Sequence, residues 1–111
     1  MGLAHCETAG VEFALSWAEL PDESGAGPAL AEMHGALLRQ LGGQPSKPEA
    51  FVVVGMTPSA EAQTQRVNGT RQARLAVFTH GKRVYQLLAQ SDKPIADAVW
   101  SEFARSFKTI D

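Results

Sequence analysis

Histidine and cysteine are the side chains of this sequence best suited to bind a transition metal, and they are widely dispersed. The histidines are His5, His34 and His80, and the single cysteine is Cys6. Metal sites in proteins bring several such ligands together, usually at short and recognisable spacings. The adjacent His5 and Cys6 have no further ligand near them in the sequence. We therefore predict neither a metal site nor a cofactor.

Covalent catalysis would require a nucleophile, a base and groups that stabilise the developing charge. Cys6 follows a histidine, but adjacent side chains of an extended chain point to opposite sides. The serines match no nucleophile-elbow pattern. The segment Gly25-Ala26-Gly27-Pro28 precedes a predicted helix, whose N-terminus could bind an anion. It lacks the lysine and the glycine spacing of a nucleotide loop, so a flexible turn is favoured, and no catalytic residue is predicted.

The segment 71–110 is the most informative about architecture. Its pattern predicts a strand, a tight turn, a second strand and a closing helix. Residues 79–81, with Gly81 at a positive φ, suit a three-residue hairpin loop. This register places Leu75 opposite Tyr85 and makes one face of the hairpin apolar.

The other face of this hairpin is the candidate binding surface. On the predicted register it carries surplus apolar side chains flanked by basic ones, which is typical of a surface that binds an acidic protein partner. The alternative is that the loop from Thr57 to Arg66 folds over this face and buries it. The candidate binding residues are Arg74, Phe78, Lys82, Val84 and Leu88.

Length and composition indicate one globular domain, residues 1–111. Hydrophobic residues make up 44% of the chain, charged residues 20%, and the formal net charge is −2. This balance argues against nucleic-acid binding, which needs clustered positive charge. No apolar run is long enough to span a membrane, and residues 1–9 are expected to be a frayed end. The oligomeric state is not indicated.

The periodicity of the chain predicts an α+β domain. Strand patterns cover 11–17 and 51–54, and a helix pattern covers 28–41, whereas 59–66 is expected to be a mobile loop. With the hairpin and a last helix opening at Asp92, the order is β-α-β-β-β-α. We expect an antiparallel sheet of about four strands with both helices packed on one face.

The closing helix has a clear apolar stripe. Its members recur at helical spacing and should pack on the sheet. They are Ala96, Trp100, Phe103 and Phe107, supported by Val99 and Ala104.

The end of the chain resembles known domains. The runs Gly81-Lys82-Arg83-Val84-Tyr85-Gln86-Leu87 and Phe103-Ala104-Arg105-Ser106-Phe107 resemble the C-terminal half of PsbP-like and DcrB-like domains. The resemblance covers about the last 40 residues and implies an antiparallel sheet with helices and a non-enzymatic role. It also implies a periplasmic or envelope location, whereas a chain complete as given, without a signal segment, would be cytoplasmic.

Two functions are therefore expected from the sequence. The first is a non-catalytic accessory or interaction domain of a bacterial, envelope-associated protein. The alternative is a small-molecule binding or enzymatic domain with a pocket between sheet and helices.

Overall fold

The computed structural model describes residues 2–8, 10–52, 57 and 61–105 of the chain. Among these residues it has seven strands and two α-helices, which confirms the α+β class. The strands are β1 (Gly2–Thr8), β2 (Val11–Glu19), β3 (Gln44–Pro45), β4 (Glu49–Ala50), β5 (Gln63–Asn68), β6 (Gln72–His80) and β7 (Arg83–Ser91). The helices are α1 (Ala26–Leu41), which follows a 3-10 turn over Glu23–Gly25, and α2 (Asp97–Arg105).

The strands form one antiparallel sheet in the order β1-β2-β7-β6-β5-β3, and β4 also pairs with β5. The sheet is wider than the predicted four strands because β1, β3, β4 and β5 all arise where no strand was expected. Residues 1–9 were expected to fray, yet Gly2–Thr8 pair with β2 through a connection that contains Gly10 at φ 79°. The expected mobile loop 59–66 contributes the first part of β5, whose pairing with β6 runs from Gln63 to Asn68.

The hairpin β6–β7 differs in register from the prediction. Its loop has two residues, Gly81 and Lys82, with Gly81 at φ 59°, so His80 lies opposite Arg83. Phe78 consequently lies opposite Tyr85, three positions away from the predicted register. An odd slip moves every side chain of one strand to the other face relative to its partner.

The two helices lie on opposite faces of the sheet, so the prediction of a common face is wrong. On the face that we call the α1 face, Leu30 of α1 packs in one apolar cluster with Val77 and Val84. On the opposite face, the α2 face, Trp100 of α2 packs in a separate cluster with Phe78. Because β6 is apolar on both of its faces, burial of both faces requires a helix on each side.

The helix boundaries also differ from the prediction in instructive ways. α1 begins two residues before Pro28 and ends, as predicted, at Leu41, which precedes Gly42 with a φ of 64° that few other residues adopt. α2 begins at Asp97 rather than at Asp92. The Asp92 carboxylate instead accepts a hydrogen bond from Arg71 Nε at 3.1 Å. Among the described residues, no helix is long and apolar enough to cross a membrane.

The predicted central strand 51–54 is absent at its two described residues. Phe51 is buried against Phe78, with ring centroids 5.8 Å apart, while the Val52 side chain is 81% exposed. Both follow the short edge strand β4 and belong to no strand themselves. Val53 and Val54 lie outside the described residues, as does Phe107 of the predicted helix stripe.

Candidate functional site

The five predicted binding residues do not share an exposed face. Phe78 and Val84 are only 1% and 2% exposed and lie on opposite faces of the sheet. Leu88 is half-buried against the core beneath α1, Arg74 lies on the α2 face, and Lys82 is in the hairpin turn. The predicted outer face depended on the three-residue loop, and the two-residue loop removes it.

Four basic side chains on or near the hairpin form ion pairs with carboxylates of the same chain. Arg66 and Arg74 both contact Asp97 Oδ1, at 2.9 and 2.6 Å. Lys82 Nζ lies 3.8 Å from a carboxylate oxygen of Glu19, and Arg71 pairs with two carboxylates described below. These pairs reduce the positive field that an acidic partner would sense, so an acidic partner stays a prediction.

A concave feature lies on the α1 face, where the helix leaves part of the described sheet uncovered. α1 packs over β6 and β7, whereas β2 presents the small side chains Ala14 and Ser16 to this face. The result is an open groove of about 470 Å³, which we call the α1 groove. Its lining residues are Ala14, Ser16, Leu37, Gln40, Leu41, Val67, Thr70, Arg71, Ala73, Gln86, Leu88 and Gln90.

The polar lining of the α1 groove is mostly neutral. Three carboxamides, from Gln40, Gln86 and Gln90, each present hydrogen-bond donors and an acceptor. Ser16 and Thr70 add hydroxyl groups. No histidine, cysteine or carboxylate lines the groove among the described residues. The groove can therefore bind polar groups, but its lining offers no general base and no thiol nucleophile.

Arg71 supplies the single charge at the end of the α1 groove, and it is already engaged. Its Nη1 lies 3.3 Å from Glu12 Oε2, and its Nε lies 3.1 Å from Asp92 Oδ1. The hydrogen bond with Glu12 raises the pKa of the Arg71 guanidinium further, and the charges of Glu12 and Asp92 act in the same direction. Arg71 therefore stays charged, and from its position just before β6 it contacts β2 and the segment before α2.

A chain of polar groups joins α1 through β5 to the segment between β3 and β4 at the edge of the sheet. His34 Nε2 lies 2.5 Å from Gln65 Oε1, and Gln65 Nε2 donates to the backbone oxygen of Ser46 at 2.5 Å. Because the Gln65 amide nitrogen is committed as a donor, His34 Nε2 must carry the proton that Gln65 Oε1 accepts. This chain explains why polar residues occupy buried positions here.

Removing the imidazole tests this buried chain. We expect His34→Ala to lower the free energy of unfolding by about 1–3 kcal/mol, because Gln65 Oε1 would be buried without a donor. Urea unfolding of the variant measures the loss. Gln40→Ala, an exposed change on the same helix, should stay within about 0.5 kcal/mol of the parent. Equal losses in both variants would contradict the assigned role of His34.

The histidines and the cysteine stay apart in the fold. His5 and Cys6 are neighbours on β1, so their side chains point to opposite faces of the sheet. His34 is a buried residue of α1, and His80 ends β6. Within the described part of the chain, no three potential ligands of these types come together. Metal analysis of the purified protein remains the direct test of the prediction that none is bound.

A basic and aromatic cluster fixes α2 on its face of the sheet. The Arg74 guanidinium lies 5.4 Å from the centre of the Trp100 ring while it contacts Asp97, the first residue of α2. The Arg74 side chain is only 14% exposed. These contacts show that Arg74 helps to dock α2 on the sheet, so its side chain is not free to bind a partner.

Comparison with protein-family models and with curated proteins found no match to this chain. The resemblance to PsbP-like and DcrB-like domains therefore stays a prediction. The inference of function accordingly starts from the geometry of the α1 groove and from the chemistry of its lining.

Proposed function

We propose that this protein is a non-catalytic accessory or interaction domain that binds an extended polar segment of a protein partner in the α1 groove. The single observation that carries the proposal is the lining of that groove. Its carboxamides and hydroxyls adjoin an uncovered sheet surface, and none of the described residues that line it could serve as a general base. An envelope-associated role in a bacterial protein agrees with the resemblance of the last 40 residues and belongs to the same proposal.

Glutamine side chains are well matched to a polypeptide ligand. Each carboxamide can donate to a peptide carbonyl and accept from a peptide N–H group. Gln86 and Gln90 are both on β7 and alternate with Leu88 on the floor of the α1 groove in steps of two residues. An extended peptide has the same two-residue repeat, so its polar groups can meet successive glutamines.

A small-molecule ligand in the same groove is the second candidate. The volume of about 470 Å³ lies within the range of small-molecule sites, roughly 300–1,000 Å³. Such sites are, however, usually more enclosed and mostly apolar. The open, amide-rich groove therefore favours the peptide.

Titration of the ¹⁵N-labelled protein distinguishes these functions. One titration uses a mixed tetrapeptide library and the other a library of small polar fragments. The proposal expects chemical-shift changes from the peptides at Ser16, Gln86 and Gln90. Changes from the fragments alone would favour the second candidate. Changes confined to other surfaces would contradict both.

A blocking variant tests the site itself. We expect Gln86→Trp to fill part of the α1 groove and to weaken peptide binding at least about tenfold, equivalent to about 1.4 kcal/mol. Gln44→Trp is the matched control, because Gln44 is exposed on β3 and lies outside the groove. Urea unfolding of both variants checks that each remains folded. Unchanged peptide affinity in folded Gln86→Trp would contradict the assignment of the groove.

A further inference from the structure

The two edges of the sheet are built differently. At one edge, β3 and β4 have two residues each, and Pro45, Lys47 and Pro48 occur in and between them. Short strands, proline and lysine all discourage the pairing of a further strand. At the other edge, β1 has seven residues, no proline and one charged side chain, Glu7. Among the described residues, one edge is therefore protected, and no further strand pairs with β1 at the other.

The middle of β1 is accessible for such pairing. The residues from Ala4 to Glu7 are all exposed. β2 pairs with β1 on one side, and in the described part of the chain β1 ends the strand order on the other. The outward-pointing backbone groups of an edge strand are donors and acceptors that a further strand can bind.

We propose that β1 pairs antiparallel with β1 of a second copy of this chain, about a two-fold axis that passes through Cys6. This register places Cys6 opposite Cys6 of the second copy. It places His5 opposite Glu7 of the second copy and, by symmetry, Glu7 opposite His5 of the second copy. The same patch is used on both copies, as a two-fold interface requires. The proposal is independent of the α1 groove.

The charges of β1 favour this register over its neighbour. Within one chain, Glu7 lies directly opposite Glu12 of β2, which juxtaposes two carboxylates. Like charges directly opposite each other destabilise a sheet, and opposite charges or a donor stabilise it. In the proposed register, His5 of the second copy approaches Glu7 from its open side and can donate a hydrogen bond to it. A shift of the axis to His5 would place Glu7 opposite Leu3 and lose both His–Glu pairs.

Sedimentation of the full chain tests the association. The expected result is a reversible dimer whose dissociation constant rises at least about tenfold in Glu7→Lys, which replaces the carboxylate acceptor of each His–Glu pair by an ammonium group that cannot accept a hydrogen bond. Glu49→Lys is the matched control, because Glu49 is an exposed glutamate on the protected edge and should leave the dimer unchanged. A monomer at all concentrations would overturn the proposal, and so would a dimer that Glu49→Lys weakens more than Glu7→Lys.

Exchange of the two side chains tests the register separately from folding. The double variant His5→Glu/Glu7→His recreates both pairs across the two-fold axis and should restore dimerisation. A double variant as weak as Glu7→Lys would exclude the Cys6-centred register. If Glu7 served only to keep each copy folded, the double variant would not restore dimerisation.

Thiol cross-linking locates the axis. Oxidation with diamide, which accepts the two electrons and two protons released by two thiols, should join Cys6 to Cys6 of the second copy. The comparison variant carries Cys6→Ser with Ala4→Cys. Its two new thiols would lie on strand positions offset by four residues, about 13 Å apart at about 3.3 Å per residue, beyond disulfide reach. Equal cross-linking of both proteins would overturn the proposed register.

Discussion

Phe78→Ala should lower the free energy of unfolding by about 3–5 kcal/mol, the loss typical of a buried aromatic side chain. Phe78 is 1% exposed at the centre of the α2 face. Its ring stacks on Tyr85 with centroids 4.9 Å apart and also contacts Phe51. The alanine variant would leave a cavity between these rings that the rigid strands cannot close. Guanidinium unfolding monitored by circular dichroism measures the loss.

Val52→Ala is the control for Phe78→Ala, because the Val52 side chain is 81% exposed. This variant should remain within about 0.5 kcal/mol of the parent. A loss below about 1 kcal/mol for Phe78→Ala would mean that Phe78 is exposed in solution. That result would support the three-residue hairpin loop and contradict the register described for β6 and β7.

The hairpin illustrates what sequence periodicity can and cannot determine. Alternation and the Gly81 turn predicted β6 and β7 correctly as neighbouring strands, since each pattern is local. The register was missed because Gly81 suits both a two-residue and a three-residue loop. The alternation of apolar and polar residues could not decide between these two loop lengths. Val77 and Phe78 are neighbours with similar hydrophobicity, and both faces of β6 are buried.

β5 was missed for a different reason. Its sequence is largely polar, and Gln65 is a poor candidate for a buried strand position. Burial becomes favourable only because His34 and Ser46, distant in the sequence, supply hydrogen-bond partners. No local pattern contains that information.

The α1 groove could not be predicted from the sequence either, because it is formed by the part of the sheet that α1 leaves uncovered. The available signal was the face of β2 that carries Ala14, Ser16 and Ala18, which are small for a strand buried under a helix. Small side chains on one strand face indicate either a close approach of another element or an uncovered surface. The sequence alone does not distinguish these, since the position of α1 depends on the hairpin register.

Trp100→Ala should also lower the free energy of unfolding by about 3–5 kcal/mol, and its effect should concentrate in α2. α2 has nine residues in the described part of the chain, and isolated helices of about this length are unstable in water. Its structure therefore depends on docking to the sheet. Trp100 is 4% exposed, lies 5.8 Å from Phe103 between ring centroids, and receives the Arg74 guanidinium over its ring.

Hydrogen exchange distinguishes loss of α2 docking from general destabilisation. In Trp100→Ala, the amides of α2 should exchange faster while those of β6 and β7 keep most of their protection, because the cluster beneath α1 remains intact. Val99→Ala is the matched control on the same helix, since Val99 is 37% exposed. It should change neither exchange nor unfolding by more than about 0.5 kcal/mol. Equally faster amide exchange on both faces of the sheet would show that α1 and α2 stabilise a single cooperative core. The two apolar clusters would then not be independent, contrary to this prediction.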